Sequence, residues 1–369
     1  MTRRTPVIAS LVVCVVGLAA CGSSASPGSG AGTTLPVVTT TLPTPTTSTV
    51  PTTTTTSPPT GPSLSLVVEP ADRYGSVIQL IQHAVVSLDL TVNRLTDPEV
   101  ESLLVAAHQH GVSVQALLDH AGSGGAANLA AYSALQAGGV PVRWAPDSVV
   151  FHQSTITADH NVSAVMTGGP ALGNTSTRGY VVFDRQPAAV ASIESVFTSD
   201  WSGAPVRRVQ MVAGLVWSPQ AKLTLVGLIA SAHRSLAVES GQLASVAVVS
   251  ALRMAGRRGV TVAFTMTADP RAATAVAQLS RAGVRIATYP TGAAPLVIQA
   301  TAIVADGSTA FVGSQLLTSE SLIHDRELGL ATTDPAVVGP LALTLAGDFA
   351  GATPVGGRAP AGGTTATSG

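Results

Sequence analysis

The chain has 369 residues, 46% hydrophobic and only 11% charged, with 19 basic and 20 acidic side chains for a formal net charge of −1. Charge this sparse, with Lys222 the one lysine, excludes the basic stripe that captures nucleic acid electrostatically, so no nucleic-acid partner is expected. The cysteines are two, Cys14 and Cys21, both close to the N-terminus.

Arg3 and Arg4 precede the apolar run VIASLVVCVVGLAA, which ends at Cys21. The run is too short to span a bilayer and has the layout of a secretory signal. Leu18-Ala19-Ala20-Cys21 resembles the bacterial lipobox, which implies cleavage before Cys21 and acylation of its thiol; an ordinary signal with a chance cysteine is the alternative. Residues 1–20 are then the signal peptide, and the membrane is a partner through lipid on Cys21. The mature protein is expected on the extracytoplasmic face of the cell membrane. Cys14 leaves with the signal, so no disulfide can form. Arg3 and Arg4 leave too, giving 17 basic against 20 acidic residues.

Residues 21–62 are almost entirely Ser, Thr, Pro and Gly. Such a composition buries too little apolar surface to offset its ordering entropy, and its prolines favour an extended spacer. Residues 351–369, rich in Gly, Ala and Thr, read as a similar tail.

Between them an order of elements occurs twice. VVSLDLTV, PEVESLLVAAHQHG, VSVQALLD, AANLAAYSALQAGG and VPVRWAP read as strand, helix, strand, helix, strand. SLAVES, VAVVSALRMAGRRG, VTVAFTMT, PRAATAVAQLSRAG and VRIATYP repeat that order, with Gly111 answering Gly259 and Gly139 answering Gly283. Alternating strands and amphipathic helices predict an α/β protein of two pseudo-symmetric lobes, residues 63–205 and 206–350, with mostly parallel sheets flanked by helices. A site is expected in the cleft between matching loops.

The repeat continues through FHQSTITAD and VIQATAIVAD, so that His152 answers Gln299 and Asp159 answers Asp306. Gly168-Gly169 is set against Gly313-Ser314. Each half resembles the phospholipase D superfamily repeat, His-x-Lys-x4-Asp followed by Gly-Ser-x-Asn, and HDRELGLA resembles that family's glutamate-bearing strand. The resemblance implies metal-free phosphodiester cleavage or transfer with no cofactor. One histidine attacks phosphorus, its counterpart protonates the leaving oxygen, and lysines and asparagines hold the anionic oxygens.

Carried over position by position, the first half keeps His152 and Asp159. It has Ser154 for lysine, Gly169 for serine, Ala171 for asparagine and Tyr180 at the glutamate position. The second half keeps Asp306, Gly313, Ser314 and Glu327, and has Gln299 for histidine, Thr301 for lysine and Leu316 for asparagine. One histidine of two survives, with no lysine and no asparagine. A cation about 4 Å from a phosphate oxygen is worth roughly 4 kcal/mol at an effective dielectric near 20. A lost general acid removes a further factor of about 10² to 10⁴. The expectation is a degenerate site in a non-catalytic binding or scaffolding protein of the cell envelope, with an unidentified ligand in the cleft. A weak phosphodiesterase using His152 is the first alternative, and a solute-binding lipoprotein the second. Each surviving residue also has a structural reading: His152 packed against Asp306 or Glu327, and Asp159 and Asp306 as turn residues. Gly313-Ser314 would then persist for a tight backbone turn.

Overall fold

The computed structural model describes residues 62–122, 124–171, 175–206, 212, 214–292 and 294–356. The expected signal peptide, Cys21, nearly all of the spacer and the tail beyond residue 356 lie outside them. In the first half run β1 (Leu64–Glu69), α1 (Gly75–His83), β2 (Ser87–Val92), α2 (Pro98–Gln109), β3 (Ser113–Leu118), α3 (Leu129–Ala137) and β4 (Val142–Trp144). β5 (Ser154–Ala158), β6 (Val162–Met166), β7 (Thr177–Asp184) and α4 (Pro187–Ser202) complete it. The second half runs β8 (Leu215–Trp217), α5 (Ala221–Ser231), β9 (Ser235–Glu239), α6 (Val246–Arg257), β10 (Thr261–Thr267), α7 (Ala273–Ser280) and β11 (Arg285–Tyr289). It continues with β12 (Val297–Ile298), β13 (Thr301–Ala305), β14 (Thr309–Gly313), α8 (Ser319–Ile323), β15 (Leu328–Thr332), α9 (Pro335–Gly351) and β16 (Thr353–Pro354).

Local chemistry explains the repeated boundaries. Asp97 caps α2 by accepting from the Glu99 amide at 3.0 Å, with Pro98 opening the helix. Gly111 and Gly259 take φ of +93° and +87° just after α2 and α6, a conformation only glycine adopts cheaply, and each chain then turns into a strand.

Two eight-stranded sheets result. Their orders are β1-β7-β6-β5-β2-β3-β4, with β12 beside β7, and β16-β11-β10-β9-β13-β14-β15-β8. The two α/β lobes are as expected, but the pairing departs from the expected parallel sheets. Parallel pairing is confined to β2-β3-β4, β9-β10-β11 and the short β12–β7 contact. All other pairs are antiparallel, because the motif strands β5–β6 and β13–β14 are hairpins closed by three-residue turns. Helix–strand crossovers leave parallel neighbours, whereas short turns can only make antiparallel ones.

Each lobe has its own apolar core under its helices. A third core belongs to both: Val165, Tyr180 and Val182 of one sheet share it with Leu215, Trp217, Ala302 and Val312 of the other, together with α4 and α9. Main-chain bonds cross between the halves on both sides. Val297 and Ile298 pair with Thr177 and Arg178, while Phe151 bridges Arg326. His152 and Gln153 both donate their amides to Arg326 O at 3.0 Å. Among the described residues no helix is long and apolar enough to cross a membrane.

Candidate functional site

The hairpins fix the internal register of the motifs. Ser154 pairs with Met166 and Thr301 with Gly313, across turns of equal length. Thr167 is therefore the counterpart of Ser314, and Gly169 that of Leu316. Hydrogen bonds repeat this equivalence: Tyr180 N donates to Thr167 Oγ1 at 2.9 Å and Leu328 N to Ser314 Oγ at 3.3 Å. This corrects the sequence alignment by two residues at the second motif and by one at the glutamate strand. The glycine doublet Gly168-Gly169 does not answer Gly313-Ser314, the asparagine position is Gly169 rather than Ala171, and the glutamate position is Gly179 rather than Tyr180. Gly169 has no room for a larger side chain, since a Cβ there would fall 1.9 Å from Arg94 O.

The same register equates Arg178 with Arg326 and Asp200 with Asp348, and each arginine reaches an aspartate of the opposite half. Arg178 grips Asp348 with two bonds, Nε to Oδ2 at 2.7 Å and Nη2 to Oδ1 at 2.6 Å. Arg326 holds Asp200 with one bond, Nη2 to Oδ1 at 3.1 Å.

A cleft of about 760 Å³ opens where the halves meet, with His152, Gly169, Ala171, Gln299, Ser314 and Leu316 among its walls. His152 stands just before β5. Its Nδ1 lies 3.2 Å from Glu327 Oε1 and 3.4 Å from Asp325 Oδ2. Glu327 is fully buried and takes two further donors, Ser321 Oγ at 2.7 Å on Oε1 and Ser314 Oγ at 3.2 Å on Oε2. Burial pulls the His152 pKa down, but the Glu327 hydrogen bond and the Glu327 and Asp325 charges outweigh it, so the net shift is upward. Burial raises Glu327 as well, against the opposing pull of His152. Asn93 shapes this end of the cleft by donating Nδ2–H to Phe151 O at 2.8 Å, one residue before His152. Nothing in the local sequence marks Asn93, which comes from the loop after β2.

The lysine positions are closed. Ser154 is 1% exposed and accepts from Asn93 N at 3.3 Å; Thr301 is 0% exposed and shares a 2.8 Å bond with Ser240 Oγ. Lys222 begins α5 and lines neither cleft. Three arginines border the cleft, Arg178 bound to Asp348, Arg271 paired with Asp269, and Arg94, whereas Arg326 borders a second cleft behind His152.

The two motif aspartates stand elsewhere. Asp159 accepts the amides of Val85, Val86 and Ser87 at 3.1, 2.7 and 3.0 Å, and Asp306 accepts those of His233, Arg234 and Ser235 at 2.9, 2.7 and 2.9 Å. Both lie at the far ends of β5 and β13, roughly 16 Å from Ser154 and Thr301 at 3.3 Å per residue, in left-handed backbone with φ of +52° and +53°. They are backbone clamps, and the turn reading describes them. Backbone donors hold the Asp306 carboxyl down at about 2. Gly313 is not in a turn either; it ends β14, where a Cβ would come 2.7 Å from the Phe311 ring.

His152, Asp325 and Glu327 have ligand atoms within 4.8 Å of one another and form the one set among the described residues able to hold a metal ion. His108 and His110, at the end of α2, are not joined by further ligands there.

The family model described as cardiolipin synthase, PLD-like domain, matches residues 77–201 and 225–348, one copy on each lobe. The chain belongs to the phospholipase D-like family. Two solved structures share the fold. Phosphatidylserine synthase from Haemophilus influenzae Rd KW20 is 10% identical, covers 79% of this chain and 87% of its own, and superposes with a TM-score of 0.61. Polyphosphate kinase from Porphyromonas gingivalis is 15% identical with a TM-score of 0.60 over 77% of this chain. This chain spans only 46% of that kinase's length. No curated protein matches in sequence. Within a phospholipase D-like fold, then, one half-site keeps a histidine on a buried glutamate, and the other has neither at its motif positions.

Proposed function

We propose that this is an exported, lipid-anchored phospholipase D-like protein with a degenerate catalytic centre, serving as a binding or scaffolding protein of the cell envelope. One observation carries the loss of catalysis. Both positions where the family's lysines would meet phosphate are small hydroxyl residues sealed into the sheets, Ser154 and Thr301. A transferring phosphoryl group needs preorganised positive charge at the motif positions, and here Arg178 is engaged by Asp348 and Arg271 by Asp269, while Arg94 borders the cleft outside either motif. The cleft wall carries Arg94, Arg178 and Arg271 against Asp269, with His152, so its charge does not single out a neutral ligand. The anchor rests on Cys21 behind its apolar run.

Purified protein is expected to release no product from a generic phosphodiester or a lipid headgroup above background. In cells Cys21→Ala is expected to move the protein out of the membrane fraction. Turnover by the wild type that vanishes in His152→Ala would overturn the degenerate reading. It would favour the second one, a slow phosphodiesterase, for which the intact His152–Glu327 hydrogen bond speaks. The solute-binding reading is disfavoured, because main-chain bonds join the lobes on both sides and leave no hinge.

A further inference from the structure

Glu69, the last residue of β1, is 2% exposed and has no part in the functions described so far. Its register partner across the sheet is Gly179, the position at which the other half carries Glu327. Cross-strand partners present their side chains on the same face. A Cβ placed on Gly179 would sit 3.4 Å from Glu69 Cβ and 3.8 Å from its Cγ, so the Glu69 side chain fills the space a residue at 179 would enter. Thr167 Oγ1 lies 3.4 Å from the same point, as its counterpart Ser314 Oγ lies 3.2 Å from Glu327. Glu69 Oε1 accepts the Tyr74 amide at 2.9 Å. Glu69 Oε2 is buried with no partner at all, and a buried acceptor left open calls for a donor.

We infer that Glu69 is the orienting carboxylate of the second half-site, supplied from β1 in place of the glutamate that Gly179 lacks, and that residue 299 is the group it serves. Gln299 stands in the cleft where His152 stands in the other half. Glu327 shows that a fully buried carboxylate can still reach a half-exposed residue at that position.

The charged and titratable groups around Glu69 are few, and the cleft around residue 299 adds His152, Arg94, Arg271 and Asp269. Asp72, Arg73 and Tyr74 follow it in the next turn. Arg178 from β7 donates to its carbonyl, and beyond Arg178 lie Asp348, Glu239 and Tyr180. The test uses the full chain carrying Gln299→His, with that histidine followed by NMR titration against the eight native ones. It is expected to titrate above the ordinary value of about 6.5, by about one pH unit. Adding Glu69→Gln should return it to the ordinary value or below, while adding Glu239→Gln should leave it raised. Glutamine keeps an oxygen for the Tyr74 amide, so folding is expected to survive. If it does not, Glu69→Asp withdraws the carboxylate by one methylene and should give a smaller rise. A histidine that titrates at the ordinary value or lower in Gln299→His alone, or one that responds to Glu239 instead of Glu69, overturns the assignment. The degenerate-site reading is judged separately, by phosphodiester turnover.

Discussion

The two arginine–aspartate clasps differ in geometry though they occupy equivalent places, and Asp348→Ala should expose the difference. Arg178 and Asp348 are 13% and 9% exposed and share two short charged bonds. Charge-assisted bonds contribute about 1.5–3 kcal/mol each, and removing one partner of a buried pair typically costs about 3–5 kcal/mol. Arg326 and Asp200 share a single 3.1 Å bond. The Arg326 guanidinium also lies 5.7 Å from the Phe151 ring, a second contact that remains when Asp200 is removed. Asp200→Ala should therefore cost only about 1–3 kcal/mol. Glu239 is the one neighbour able to soften the first loss. Burial, and next the Asp348 charge, push its pKa well upward and so disfavour its ionised form beside the clasp. Once Asp348 is gone it can ionise towards Arg178. Asp348→Ala combined with Glu239→Gln closes that route and should show the full cost. Urea unfolding of the four proteins gives the free energies. At about 2–4 °C per kcal/mol, the melting temperature of the double variant should fall by about 6–20 °C. The two pairs are buried alike, so equal losses for Asp200→Ala and for the double variant would refute the argument that bond number sets the difference.

Three further outcomes follow from the site and its frame. Asp306→Asn should lower stability above pH 4, and its difference from wild type should fade as pH falls from about 3.8 towards about 2. A depressed carboxyl stabilises only while ionised, and urea midpoints across that range check it. His152→Gln should cost most below pH 6.5 and progressively less as pH rises through the elevated folded value. A histidine raised by its carboxylate partner stabilises only while protonated, and the same midpoints at pH 5 to 8 would show it. Ser154→Lys should destabilise by several kcal/mol, measured by thermal unfolding, because it places an unpaired ammonium at a position 1% exposed. If that variant melts like the wild type, the lysine position is open to the cleft and the case against phosphate binding weakens.

Much of the frame is legible in the sequence because it rests on local signals. The glycine helix stops, the apolar strands and the spacing of 147 between Asp159 and Asp306 each state a short-range rule, and the two lobes follow from their repetition. The pairing of His152 with Glu327 was also within reach, as one of two named partners. What sequence misplaced was the second motif of the first half. A glycine doublet resembles Gly-Ser more than Met166-Thr167 does, yet only the hairpin partner of Ser154 decides the register, and that partner is a matter of main-chain bonding. Glu69 was invisible for a related reason. It lies far upstream of Gly179 in sequence and meets it only through the β1–β7 pairing, so no motif spacing contains it. Sheet direction was misjudged because alternating strands and helices suggested crossovers throughout, while the three-residue turns after Ala158 and Ala305 were counted as motif rather than as topology.

The crossing strands and reciprocal clasps bear on what the connecting peptide is for. Each half carries an arginine whose aspartate belongs to the other, and each lends main chain to the other's motif region. The covalent link between Gly203 and Gly214 is thus spare once the protein has folded. A protease cut there should leave two fragments that migrate as one particle and part only under denaturant. Produced separately, either fragment would present an orphaned arginine, an orphaned aspartate and half of a shared core, the complement of a second copy of itself.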